Sequence, residues 1–419
     1  MDVKRPKHLL LLTCAIMIAG TTMAADWPDF RGPQQNGHAS VSKAPLKWDE
    51  NTNIAWKTPI QGRAWSSPVI LGNQIWVSNA TSDGKKLSAV CLDLKTGAII
   101  HDIPLFTPDP QKWSYAGKAQ SHGSPSPVIE PGRVYIHFGT YGTACIDTKS
   151  GKILWTRTDI NTDHYEGAGS SPILWEDLLI LTMDGVHSQY AMAVNKTTGK
   201  TVWKAPRTVD FTGIIPECRK AFATPIIVGN KAPVMITPAA LAVYGHNPRT
   251  GEEIWRAEYN NKGFSNAPRP VVAGDHVFIS TGYLKADILA VKLNGKGNIT
   301  DTHISWRDHR GIPRLASPIV VDQHLYMVDD GGFLSCREVQ TGKTLWRQRL
   351  DAKYFASPVY AAGRIYLFDQ NGKAHVIKPG PTFESLATNT LAEGCMASPA
   401  VIEGALIVRT PSYMYRIQE

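Results

Sequence analysis

Three short stretches carry the side chains best suited to chemistry. Asp163-His164-Tyr165-Glu166 sets an imidazole between two carboxylates, a grouping that moves protons or ligates a metal, although in a polar loop these residue types more often serve as solvated hydrogen-bonding groups. Arg219-Lys220 and the pair Arg310 and Arg314 would grip a carboxylate, a sulfate or an acidic partner loop, or else pair with acids of neighbouring loops. Trp65, His122, Phe264 and Tyr354 each stand shortly before a dipeptide of the Ser-Pro type, where they would ring a channel and stack on a sugar or planar ring, or simply pack. No Gly-x-Ser-x-Gly, His-Glu-x-x-His or phosphate-binding glycine loop accompanies them, so no catalytic constellation is defined and the metal question stays open. Asp329-Asp330-Gly331-Gly332 and Asp369-Gln370-Asn371-Gly372 lack the full calcium-loop pattern and read as hairpin turns.

What must position these residues is a repeat. The stretch 144–155, ACIDTKSGKILW, reads as strand, turn and strand. Asp147 and Ser150 can bond the turn backbone, Gly151 accepts φ > 0, and the flanking β-branched and aromatic residues suit a pleated surface. Copies of the turn recur at Gly97, Gly199, Gly251 and Gly342, and Trp155, Trp203, Trp255 and Trp346 each follow their glycine by four residues. A second marker opens each unit: Ser67-Pro68, Ser126-Pro127, Ser171-Pro172, Thr224-Pro225, Arg269-Pro270, Ser317-Pro318, Ser357-Pro358 and Ser398-Pro399. Proline suits the first residue of a strand, where its missing N–H is harmless. Fixed spacing over separated copies implies an eight-bladed β-propeller of four-stranded antiparallel blades, an all-β fold, with seven blades as the alternative if one weak unit drops out. The last unit supplies three strands before the chain ends. The orphan strand around Trp56 is expected to complete it, so that residues 51–60 shut the ring and remove an open edge. Two units are irregular: His101 replaces the tryptophan of the first, and the seventh has Pro379-Gly380-Pro381 at its turn and no tryptophan, whereas the fifth keeps Trp306 after a longer turn.

The remaining organisation follows from composition. Lys4, Arg5 and Lys7, the apolar run 9–20 and the small residues 22–25 read as a cleavable signal, so the chain is expected to be exported to the periplasm or secreted; acylation at Cys14 is disfavoured by Thr13 before it. Residues 26–50, polar and without periodicity, read as an extended arm packed on the surface of the propeller at 51–419. The formal charge is +8, of which the signal carries three cations against Asp2, and the other cations are spread through turns, which argues against nucleic acid as a partner. No later run approaches a membrane span. Cys91, Cys145 and Cys336 each stand six residues before a repeat glycine and read as buried core thiols; a Cys218–Cys395 bridge is left open.

The pattern in 145–155 resembles the tryptophan-docking motif of propellers similar to quinoprotein alcohol dehydrogenases, and the head WPDFRGP at 27–33, with 56–59 and 66–69, resembles the exported propellers called PQQ-binding-like, which include BamB, a component of outer-membrane assembly. The resemblance implies that Trp56, Trp155, Trp203, Trp255, Trp306 and Trp346 dock between blades. It also raises pyrroloquinoline quinone with calcium as a cofactor, but the adjacent cysteines and the Cys-x-x-Cys-His of the dehydrogenases are absent and no motif places the calcium ligands, so no cofactor is expected. The long loops at 102–121, 159–169 and 207–221 should share one face, bringing His122, His164, Arg219 and Arg314 toward one cavity. The combined expectation is a monomeric, non-catalytic binding or scaffold protein that engages a protein or polysaccharide through that face, with a quinone-dependent oxidoreductase or a carbohydrate-binding or carbohydrate-modifying propeller as alternatives.

Overall fold

A computed structural model describes residues 26–109, 120–260 and 262–419; the expected signal at 1–25 lies outside them. The described residues form eight four-stranded antiparallel blades, two of which gain a short parallel strand: His38–Ala39 on the seventh and Gly297–Asn298 on the fourth. The first blade, Val69–Leu71, Gln74–Ala80, Leu87–Asp93 and Ile99–Phe106, sets the pattern. The first strand of each blade is short and buried or half-buried, and the fourth is the most exposed, as in the closing strand Ile54–Pro59, where half-buried and exposed residues alternate. The eighth blade joins Ala400–Ile402, Ala405–Arg409 and Tyr413–Gln418 to Ile54–Pro59, with Trp56 opposite Arg416, so the two ends of the chain close the ring as the displaced tryptophan implied.

The cores lie between blades. One cluster joins Val69, Trp76 and Cys91 of the first blade to Val134, Ile136 and Ile146 of the second, and another joins Tyr135 and Cys145 of the second to Leu179 and Leu181 of the third. Cys91, Cys145 and Cys336 are free thiols inside these interfaces, and burial pushes Cys336 up to about 11, where it stays a protonated, unreactive hydrophobe. Cys395 is buried among the residues that join the seventh and eighth blades and Cys218 sits in a loop; they are not bridged.

Five of the six expected docking tryptophans reach the next blade's turn. The indole N–H of Trp56 donates to Leu94 O (3.1 Å), Trp155 to Lys196 O (3.0 Å), Trp203 to Pro248 O (3.1 Å), Trp306 to Val339 O (3.0 Å) and Trp346 to Gly380 O (3.1 Å). The turn glycine is needed twice: Gly97, Gly199, Gly251 and Gly342 have φ between +70° and +75°, and a Cβ there would fall 2.6–2.9 Å from the docked ring. Trp255 is the exception. Its indole nitrogen has no partner, because the long turn of the fifth blade pairs instead with the strand that carries it, Gly297 opposite Trp255. His101 occupies the tryptophan position of the first blade over Gly151, stacked on Trp76 at 5.8 Å.

The arm does more than lie on the surface. Trp27, Asp29 and Arg31 are buried, and the chain crosses the centre of the ring: Trp27 pairs with Ile70 of the first blade, Pro28 O accepts from Ile129 N of the second (2.9 Å), and Gly37 O accepts from Tyr360 N of the seventh (2.9 Å). Further on, Trp48 is buried against Tyr366 (6.4 Å) and Phe368 (5.9 Å) of the seventh blade, the blade without a tryptophan of its own. Elsewhere the docking ring packs on an aromatic of its blade's second strand, as Trp155 does on Tyr135 and Trp346 on Tyr326. Trp48 therefore fills the vacancy from a distant part of the chain.

Candidate functional site

The innermost strands are stitched by a belt of hydroxyls. The amide of Ser67 donates to Ser126 Oγ (2.8 Å), Ser126 to Ser171 Oγ (2.9 Å), Ser171 to Thr224 Oγ1 (2.9 Å), Arg269 to Ser317 Oγ (2.9 Å), Ser317 to Ser357 Oγ (2.9 Å), Ser357 to Ser398 Oγ (2.9 Å), and Ser398 back to Ser67 Oγ (3.0 Å). These are the opening residues of the Ser-Pro dipeptides. The proline explains only the start of the strand; the small hydroxyl beside it ties each blade to the next. Between the fourth and fifth blades the acceptor is replaced by Arg269. Its guanidinium spans the gap to Pro225 O (3.1 and 2.9 Å) and also holds Asp29 Oδ1 (2.9 Å) and Phe30 O of the arm. Arg31 continues the anchorage with a bond to Pro318 O (2.8 Å).

The central channel is thereby shut at one end, with Phe30 as floor and a cavity of ≈ 120 Å³ above it. Its wall is set by the residue two places before each opening Ser, Thr or Arg: Trp65, Ser124, Gly169, Phe222, Ala267, Leu315, Phe355 and Met396. Every described residue of this lining is uncharged. A planar tricarboxylic quinone with a calcium ion needs cations, carboxylates and a pocket of roughly 300 Å³ or more. These residues do not fit that group. Among the described residues no cluster of three or more His, Cys, Asp or Glu side chains is arranged to hold a metal ion.

The loop face beside this cavity gathers part of the expected site. Tyr165 stands 50% exposed with φ +65°, and the Lys220 ammonium lies 5.0 Å above its ring, 4.0 Å from the Glu166 carboxylate and 2.8 Å from Glu217 O. Burial lowers Lys220 from its usual range, and Glu166 opposes that shift. Arg219 braces the loop that carries Ile215: both its Nε (2.8 Å) and one terminal nitrogen (2.6 Å) donate to Ile214 O. Arg314 is paired with Asp330 (2.5 Å) and lies 5.2 Å from the Tyr283 ring. Around these residues Ile215 (61%), Tyr283 (49%) and Leu284 (71%) are exposed, and Ile214, Ile215, Phe264 and Leu284 with Lys262 and Lys285 line a groove of ≈ 350 Å³.

The other expected residues go elsewhere. His164 is buried beside Gly139 and Ala168 with neither ring nitrogen hydrogen-bonded, and burial lowers it to about 4. His122 packs on Tyr141 (6.1 Å) and against Gly84. Arg310 is exposed, and its carbonyl accepts from the buried Arg337 (2.6 Å). Tyr354 corrects a register error: it is fully buried in the core joining the sixth and seventh blades, and the next residue, Phe355, faces the channel. Thus His122, His164, Arg219 and Arg314 do not share one cavity, and of the aromatics named from sequence Trp65 lines the channel while Phe264 lines the groove. Sequence reasoning missed Ile215, Leu284, Arg269 and Trp48. Arg269 carried a signal, since it breaks an otherwise uniform run of Ser and Thr.

Comparison with known proteins places this geometry among relatives. The family model described as outer membrane protein assembly factor BamB matches residues 42–168, 111–322 and 297–378. The outer membrane protein assembly factor BamB of Alkalilimnicola ehrlichii is 30% identical over 161 residues, 38% of this chain and 40% of that protein, so the match spans less than half of the relative's length. Among solved structures, BamB from Moraxella catarrhalis superposes with a TM-score of 0.58 at 12% identity, covering 87% of this chain and 99% of that one. Quinohemoprotein alcohol dehydrogenase from Comamonas testosteroni gives 0.68 at 11% identity, covering 94% and 80%. At such identities these structures establish the fold they share with this chain.

Proposed function

For a chain that belongs to the family of the outer membrane protein assembly factor BamB, we propose an exported, non-catalytic scaffold, acting in the periplasm as a monomer, that binds a protein partner through its loop face. One observation carries this reading: Tyr165, Ile215, Tyr283 and Leu284 are large apolar side chains left about half or more exposed on loops whose anchoring residues are themselves buried or paired. Contiguous exposed apolar surface rimmed by polar groups marks interaction sites. The neutral lining of the channel supports a binding role over quinone chemistry. Among the described residues no helix is long and apolar enough to cross a membrane.

The test is site-specific photo-crosslinking in intact cells, with the probe residue at Leu284 or Tyr165 and, as control, at Leu154 on an outer strand. The reading expects a discrete protein adduct at the first two positions that is absent at the third and is lost when the Tyr165 probe is combined with Ile215→Asp and Leu284→Asp. Equal labelling at all three positions, or none at Leu284 and Tyr165, would sink it.

A further inference from the structure

We infer that the groove between the loops of the fourth and fifth blades receives an extended peptide segment in which an apolar anchor is flanked by carboxylates; this rests on the protein-docking reading above. The lining supplies both halves of that chemistry. Ile214, Ile215, Phe264 and Leu284 form apolar walls, Lys262 and Lys285 supply positive charge, and none of the described residues that line the groove is a carboxylate. At the Phe264 ring, 5.7 Å away, lies a further cation, Lys220, whose ammonium is 4.0 Å from the Glu166 carboxylate. An incoming carboxylate therefore meets cations, and an incoming ammonium would meet the same cations unfavourably.

The walls are also built in advance. Arg219 holds the Ile214 carbonyl, the short 3-10 turn Pro216–Cys218 follows it, and Arg207 and Asp184 form a buried ion pair (2.7 Å) at the base of the same loop. On the facing loop, the Tyr283 amide donates to Phe264 O (2.9 Å), the Asp287 amide donates to Thr281 Oγ1 (2.9 Å), and Arg314 covers the Tyr283 ring. Preformed walls lower the ordering cost of capturing a flexible segment. The volume, ≈ 350 Å³, suits one anchoring side chain with its neighbours, and the exposed Tyr165 and Tyr283 continue the apolar surface beyond the groove. That continuation favours a chain running across the face over a compact fatty acid seated in the groove alone.

The probe is a fluorescein-labelled hexapeptide of two aspartates, leucine, phenylalanine and two aspartates, titrated by anisotropy against the mature protein. Saturable binding is expected, weakened about tenfold or more in Leu284→Asp and in the Lys262→Glu/Lys285→Glu double variant, and comparably weakened when lysines replace the aspartates of the peptide. Both variants are checked for unchanged melting, and Lys262→Gln/Lys285→Gln gives a milder second version. No saturation by roughly 1 mM, equal affinity for the lysine peptide, or affinity unchanged in both variants would overturn the inference. So would laurate binding that depends on Leu284 while the peptide fails to bind. Adducts at Leu284 in cells without peptide binding would remove the acidic and apolar assignment while leaving the docking face intact.

Discussion

Replacing Trp48 by alanine should destabilise the ring as much as removing a docking tryptophan from within a blade. The indole is 3% exposed and stacked on Tyr366 and Phe368 with interplanar angles of 23° and 22°. Its backbone amide donates to Asn389 Oδ1 (3.0 Å), and Asn389 returns a bond to Leu46 O (3.1 Å), contacts that survive any side chain at this position. The loss therefore comes from buried ring and cavity, about 3–5 kcal/mol for truncation of a buried tryptophan. Because the indole nitrogen has no hydrogen-bond partner, Trp48→Phe keeps most of the stack and breaks no polar contact, and should cost less than half as much. Urea denaturation followed by circular dichroism measures both, provided the slope of the transition is unchanged. Limited proteolysis should find the alanine variant cut within residues 40–52 before the propeller unfolds, since this segment joins the seventh blade to the closing strand. The reasoning fails if the alanine variant lies within about 0.5 kcal/mol of the parent, or if phenylalanine is as damaging as alanine.

Two further outcomes follow from buried charge. Asp29→Asn leaves the Arg269 guanidinium without its counter-charge at a site where both side chains are almost wholly buried, and should cost about 3–5 kcal/mol; adding Arg269→Ser, which restores a hydroxyl to the belt, should recover part of this in the same urea assay, and a double variant no better than Asp29→Asn would refute the pairing. His164 is held neutral, lowered to about 4 by burial from an ordinary 6.5, so the unfolded chain takes up the extra proton. Its contribution is complete above pH 6.5, falls as pH drops toward 4 and levels off below, on the order of 3 kcal/mol in all. His137 and His246, both lowered to about 3 by burial, act in the same direction. Urea midpoints between pH 7.5 and 4.5 should thus fall less steeply in His164→Met than in the parent; parallel slopes would exclude the assignment.

The frame was legible because its requirements are local. A glycine at positive φ under a docked ring leaves few other choices at that turn, and each copy states the same need again. Closure was legible for a related reason: Trp56 appeared without the strands that should precede it. The seventh blade was not, because its missing ring is supplied by Trp48, more than three hundred residues away in sequence and with no turn motif beside it. The candidate site was readable only in fragments. Spacing placed Trp65 correctly, two residues before the hydroxyl, but a bulky aromatic one residue off that register, Tyr354, turns into the core. Charged residues that looked like ligand contacts also brace their own loops, as Arg219 and Arg314 do. Ile215 and Leu284 gave no signal, since an apolar residue in a loop looks the same whether it will be covered or left in water.

The hydroxyl belt has one more implication. Its hydrogen bonds all run in the same rotational sense, each blade donating an amide to the next hydroxyl, so seven of eight junctions look alike to an arriving segment. A ring of near-equivalent junctions offers the arm several seats displaced by one blade. Arg269 makes them unequal. By replacing a hydroxyl of the belt with a buried cation at one junction, it gives Asp29 a place there where its charge is answered, and so acts as an index mark for the angle at which the arm seats on the circle.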